Sequence, residues 1–541
     1  MCASGWPGKT SSDPELAAAH PVTGDLADTQ RPTGGSSAPS RLARNALSSG
    51  ARYAVPALLA LLVTPFALRI LGESRFGLWA LAGVVLTLSR VLDFGLQRSL
   101  VRAVAVAEGA DGTEHAVEAI STGRGAALLL GFLYVAVIWL ARDTLVSSVL
   151  RLPSELQAEG RYVLVGTAAV AALEAVFMPY QAALDGIGRM DLSSVVDAVQ
   201  RSISALLVVV VLSAGWGLPG LVWKNLACAL FAGVAYRSLL SRRAPELAHA
   251  PISLVPQELR RLLSFGRHVQ VVNVSALVVE MSAKLVLSRS AGVDAVALYE
   301  LASRVVNQLG GALMAASTAV FPAAAEAAGA AREGTDDLQR LYCGATRYLG
   351  WLTLPAYGLL VALAPAFVRA WLGAGYTDVA QAIVVLSLGY AVGVLAAPAH
   401  MVAQGSGRAR ISSTAAIATV IVASVLFLVA ARAGGLYGVV AAVSAGVATG
   451  GATAWLLFAR SYGSGWRTIG CIGVRGPVAA LLGAAAAFAV GGNLPPTLVS
   501  VAAAGIAGLA AYGVALAATG ALGPRERAMI ASLLGPRRAA R

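Results

Sequence analysis

A charge placed inside an apolar helix needs a purpose, and several stand out here: Arg52, Arg90, Asp93, Glu174, Lys224, Glu280, Lys284, Glu300 and Arg304. At the centre of a membrane helix such a side chain costs about 2.5–3.5 kcal/mol. Spacing offers local partners to some of them. Glu280 with Lys284, and Glu300 with Arg304, stand one helical turn apart, and Arg90 and Asp93 can pair at i,i+3. Lys224 and Lys284 lie close enough to an expected helix end to snorkel toward water. Arg52 and Glu174 have no partner within their own segments. Arg52 lies about six residues, roughly 9 Å, inside its segment, and Glu174 is near the middle of another.

The signs of these charges suggest their chemistry. Arg52 and Arg90 in the first half, with Lys284 and Arg304 in the second, would give a cavity between the halves a positive lining. Guanidinium groups match phosphate oxygens in a bidentate fork, so such a cavity suits a phosphate-bearing anion. Glu174 and Asp93 are the candidates for ion coupling. A cation exporter would favour acidic residues instead, and the apolar part of the first segment carries Arg52 and no acid. The sequence shows no nucleophile constellation and no phosphate-binding glycine loop. Its five histidines have no metal-like spacing, and Cys2, Cys228, Cys343 and Cys471 lie far apart and read as isolated thiols. The expectation is a protein that is not an enzyme, with neither cofactor nor metal.

The elements that must position these residues are helices in a membrane. Of 541 residues, 57% are apolar and 13% charged, with a mean hydropathy of +0.71. A soluble domain carries roughly 25% charged residues, so this chain cannot solvate a globular surface of its length. Its continuous Ala-, Leu-, Val- and Gly-rich runs lack the ten-residue alternation of a membrane β-barrel. Fourteen apolar segments follow one another between about residue 46 and residue 519. Residues 1–44 read as a disordered cytoplasmic tail and 523–541 as a basic cytoplasmic tail. Lys and Arg in alternate connections divide 27 to 8 in favour of the set containing both termini. By the positive-inside rule both termini are cytoplasmic, in a multi-pass protein of the cell membrane with an even number of spans. The net charge of +13 is therefore a topology signal, and nucleic acid is not an expected partner.

The chain also repeats. Shifted by 220 residues, Arg69 falls on Arg289, Gly72 on Gly292, Leu78 on Leu298, Leu81 on Leu301, Ala82 on Ala302 and Val85 on Val305. Six segments then lie in each half, in the same orientation, as in transporters built from two parallel bundles around a cavity. The expected architecture is all-α: an N-terminal lobe over 45–262 that includes an Arg-rich linker at 241–262, a C-terminal lobe over 263–462, and two further helices over 463–522.

The stretch from Arg44 to Arg102 contains LRILGESRFGLWAL and LDFGLQRSLVR. It resembles the opening of bacterial polysaccharide-export flippases, the Wzx-like and lipid II flippase relatives in the multidrug/oligosaccharidyl-lipid/polysaccharide superfamily. Arg69, Leu71, Gly72, Phe76, Gly77, Asp93, Gly95, Leu96 and Arg98 carry the likeness, joined by AGVDAVALYELASRVV at 291–306 and by the turns LDGIGRMDLSS and QGSGRARISS. The resemblance implies two six-helix lobes and a cationic cavity for the pyrophosphate of a polyprenyl-linked sugar. Arg52, Arg90 and Arg304 would be its headgroup contacts, and the last two helices a groove for the lipid tail. Membrane lipids, a glycan polymerase and glycosyltransferases are the implied partners. A cation-coupled multidrug exporter of the same superfamily and a non-transporting scaffold of a glycan-assembly complex are the alternatives.

Overall fold

A computed structural model of the chain describes residues 38–92, 95–109, 113–317, 336–406, 408, 410–433, 435–462 and 473–520. It divides into two units, Met1–Leu47 and Ser48–Arg541. Of the first unit, residues 38–47 are described, and they are helical. Helix thus begins inside the stretch expected to be a tail, where Ala, Leu and Arg are strong helix formers and Pro39 is tolerated in a first turn.

Sixteen α-helices and no strand occur among the described residues. Helix α1 (Ala38–Leu92) is really two arms that meet at Gly72, where φ is 74° and ψ 167°. Side chains avoid this region, so a glycine there lets the chain reverse without strain. The same device recurs 220 residues later. Helix α8 (Pro256–Ser290) gives way to α9 (Gly292–Ser317) at Gly292, with φ at 85°. Gly215 and Gly435, also 220 apart and both at positive φ, mark the turns that follow α5 (Met190–Ser213) and α13 (Arg410–Ala433). The repeat seen in the sequence is therefore present in the backbone.

In the first half, α2 (Leu96–Gly109), α3 (Thr113–Thr144), α4 (Ser154–Gly186), α5 and α6 (Gly217–Arg243) pack around α4. In the second, α8, α9, α10 (Asp336–Trp371), α11 (Thr377–Leu395), α13 and α14 (Gly435–Ser461) form the corresponding bundle, with the short α12 (Ala397–Gly405) continuing α11 past Pro398. Helices α15 (Arg475–Gly492) and α16 (Leu498–Ala518) pack on each other and on α10. The 241–262 connection is not a loose tether. It forms the one-turn helix α7 (Pro245–Ala248), and its extended part lies along α3, where Arg124 donates to the Ala250 carbonyl and the Ser253 amide donates to the Ser121 carbonyl at 3.3 Å.

The apolar core is distributed unevenly along the bundle. At the end carrying the 72 and 292 turns, one cluster draws on both halves, including Leu78, Leu152 and Leu221 with Leu287, Tyr299 and Val368. At the opposite end each half closes on its own core. Leu100, Ile120, Leu184 and Leu240 form one, and Tyr342, Val402 and Phe458 the other. Polar contacts follow the same division. Ser74 Oγ donates to Asp294 Oδ1 at 2.6 Å, Trp371 Nε1 donates to the Leu61 carbonyl at 2.8 Å, and Ser288 donates to the Leu150 carbonyl. Gly77 belongs to this seal, because a Cβ there would run into the Val293 carbonyl.

Large apolar side chains such as Phe132, Leu140, Leu428 and Val499 are more than two-thirds exposed, which suits a lipid environment and not water. Among the described residues, eleven helices are long and apolar enough to cross a membrane, so the chain is a multi-pass membrane protein. The first of these contains the Gly72 turn and so counts two arms as one.

Candidate functional site

A cavity of about 990 Å³ lies within the bundle, lined by both arms of α1 and by α2, α4, α5, α6 and α9. Its walls are apolar helix surface set with a limited number of polar groups. The cations are Arg98, Arg201, Lys224 and Arg304, and the acids are Glu174 and Asp197. Gln97, Gln181, Gln200, Asn225 and Gln308 add amides, which both donate and accept. Trp79 and Phe177 supply aromatic faces. A concave apolar site with a few convergent polar groups is the usual form of a ligand pocket.

Arg304 joins the two halves at this cavity. Its guanidinium donates to Glu300 at 3.0 Å and to Thr64 of α1 at 3.1 Å. Glu300, 16% exposed, also meets Lys284 at 2.9 Å, and Lys284, 4% exposed, takes Glu280 at 2.8 Å. The local pairs read from spacing are thus fused across α8 and α9 into one alternating chain of two acids and two bases. Alternation matters because an unpaired charge at this depth is costly, whereas a balanced and hydrogen-bonded set persists. Elsewhere in the cavity lining Tyr236 donates to Asp197, and Lys224 Nζ donates to Ser204 Oγ at 2.7 Å.

The structure places the expected site residues unequally. Glu174 and Arg304 share the cavity lining. Lys284 is absent from that lining and is buried in the ion-pair chain behind Arg304, so it contacts the site through Glu300. Arg52 and Arg90 are on α1, but their side chains lie outside the described residues, as does the whole of Asp93. Three lining residues escaped the sequence reading. Arg201 and Asp197 sit inside the fifth apolar segment, and the test that singled out Arg52 would have found them. Arg98 counts as a connection residue by position, and only the break at Gly95 turns it into the lining. One expectation changes: Cys343, expected as an isolated thiol, is disulfide-bonded.

The repeated bundles and the cavity among their helices define an all-helical, multi-pass membrane protein. The family described as polysaccharide biosynthesis protein matches residues 67–381, and the chain belongs to it. It is 22% identical over 274 residues to a Shigella flexneri protein named for O-antigen transport, a match covering 50% of this chain and 63% of that relative, less than two-thirds of its length. Among solved structures, an inward-facing multidrug resistance MATE family transporter of the MOP superfamily superimposes with a TM-score of 0.67 at 17% identity, over 76% of this chain and 98% of that one. The lipid II flippase MurJ, in an inward closed conformation, superimposes with a TM-score of 0.66 at 11% identity, over 88% and 99%. These likenesses establish the fold.

Proposed function

We propose that this protein is a flippase that carries a lipid-linked saccharide precursor, bearing a phosphate or pyrophosphate headgroup, across the cytoplasmic membrane by alternating access. One observation carries the reading: a cavity whose walls combine cations for phosphate oxygens with amides and aromatic faces for sugar, closed at one end by a core shared between the halves. The named relatives, one for O-antigen transport and one for lipid II flipping, support the same substrate class.

In this reading residues 45–262 and 263–462 are the two rocking lobes, 463–522 is the accessory pair, fourteen segments span the membrane and both termini are cytoplasmic. Arg304 is a headgroup contact, and Arg52 and Arg90 extend the basic lining toward the cytoplasmic side. Glu174 and Asp93 are the coupling candidates. The lipid stays bonded to its sugar throughout, so the protein performs no covalent chemistry and needs no cofactor. Glycosyltransferases would supply the cargo and a glycan polymerase would consume it.

The test is reconstitution. Purified protein in liposomes is given a fluorescent prenyl-pyrophosphate sugar, and its transfer between leaflets is followed with a membrane-impermeant quencher. Transfer should depend on Arg304 and fail to respond to cationic dyes. Dye export that persists in Arg304→Ala, without any transfer of the pyrophosphate lipid, would move the protein to the multidrug class.

A further inference from the structure

The four cations of the cavity are not equivalent. Arg304 is already compensated by Glu300 and held by Thr64. Arg201 stands one helical turn from Asp197, which lines the same cavity. Lys224 differs. Its residue is 7% exposed, yet among the described residues no carboxylate lies within 4 Å of its ammonium; the ion pairs there involve other groups. Its one hydrogen bond is to Ser204 Oγ, at 2.7 Å. An ammonium has three donors and no acceptor, so Ser204 satisfies only one of them.

Snorkelling does not account for this arrangement. Lys224 is seven residues past the start of α6 at Gly217, roughly 10 Å along the axis, and a snorkelling head would be exposed. The neighbouring Trp223 is 58% exposed, on the outer face, while Lys224, Asn225 and Ser204 all line the cavity. A cation buried without a counter-ion is among the arrangements a protein keeps only for a reason.

We infer that Lys224, oriented by Ser204, is the anion subsite of this cavity: it takes a phosphoryl oxygen of the ligand and makes the protein prefer a phosphate-bearing ligand over its uncharged analogue. The inference rests on the proposed cargo and adds the group that selects it. Arg304, balanced by Glu300, then serves as the joint between halves more than as the source of net charge.

The experiment uses the full chain in detergent micelles. Its nine tryptophans report titrations with geranylgeranyl diphosphate, with geranylgeraniol, and with inorganic pyrophosphate. The wild type should bind the diphosphate at least about tenfold more tightly than the alcohol, the value of one charge-assisted contact. Lys224→Gln should bring the two within about twofold of each other, whereas Lys224→Arg should keep most of the preference. Lys224-dependent binding of inorganic pyrophosphate would make the ligand a free pyrophosphate, and dependence seen only with the prenyl form would make it a lipid headgroup; both support the site. A wild-type preference that survives Lys224→Gln overturns the assignment and leaves the proposed cargo standing. No preference in the wild type overturns the cargo as well.

A titration of the wild-type protein guards against misfolding. The sequence contains three lysines, Lys9, Lys224 and Lys284, so isotope-labelled lysine side chains give a simple spectrum. The signal missing in Lys224→Arg should shift when geranylgeranyl diphosphate is added, and one that stays still counts against the subsite.

Discussion

Glu300 is the residue on which the ion-pair chain turns, since among the described residues it alone pairs with both Lys284 and Arg304. Its neutralisation should therefore cost far more than that of Glu280, although both carboxylates contact Lys284. Glu300→Gln leaves buried Lys284 with one partner and Arg304 with none of its charge compensated, a loss of about 3–5 kcal/mol. Glu280 is 45% exposed, so Glu280→Gln should cost no more than about 1 kcal/mol. Unfolding midpoints in detergent decide the matter, and equal shifts for the two variants would remove Glu300 from its central position. Arg304 is argued from shape as well as charge. Only a fork can reach Glu300 and Thr64 together, so Arg304→Lys should slow lipid transfer about tenfold while keeping the charge. A lysine variant with wild-type turnover would show that charge alone is required.

Among the helices, the contacts that matter most join the arms that follow the glycine turns of the two repeats. Ser74 and Asp294 are equivalent positions 220 residues apart, and they meet at 2.6 Å where the sealed end closes. Gly72 and Gly292 bring them there by turning the chain at positive φ, and Gly77 lets the helices approach. If this end must open to release cargo, Ser74→Cys combined with Asp294→Cys should form a cross-link under oxidation that stops transfer, and reductant should restore it. Undiminished transfer by fully cross-linked protein would mean that this end does not open. The linker makes the opposite point: α7 and the extended segment beside α3 fix residues 245–255 to the first half. Hinge motion is thus expected in α8 and not in the linker.

For the molecule as a whole, the described core residues form one cluster shared by both halves at the end of the 72 and 292 turns, and separate clusters within each half toward the other end. The 27-to-8 distribution of basic residues would put that other end in the cytoplasm, the side on which the proposed cargo would be made. A periplasm-dependent reporter fused after Arg541 should stay inactive, and a cytoplasm-dependent one should be active. The reverse result would invert the bundle and turn export into import.

The sequence by itself determined the class of fold, the membrane setting and the repeat, because each rests on local or cumulative properties: helical length, total charge, and two glycines spaced 220 residues apart. It also singled out Arg304 and Glu174, since a charge in an apolar run is visible without knowing its neighbours. What surrounds those charges was decided by tertiary structure. Spacing can show that Glu300 and Arg304 are one turn apart, but not that Lys284 crosses from another helix to join them, or that Thr64 waits 240 residues away. Lys224 shows the limit clearly. Near a helix end it reads as a snorkelling lysine, and only the direction its face takes in the assembled bundle places it against Ser204 in the cavity. Helix formation follows from local energetics, whereas the rotation of each helix about its axis is set by packing against all the others.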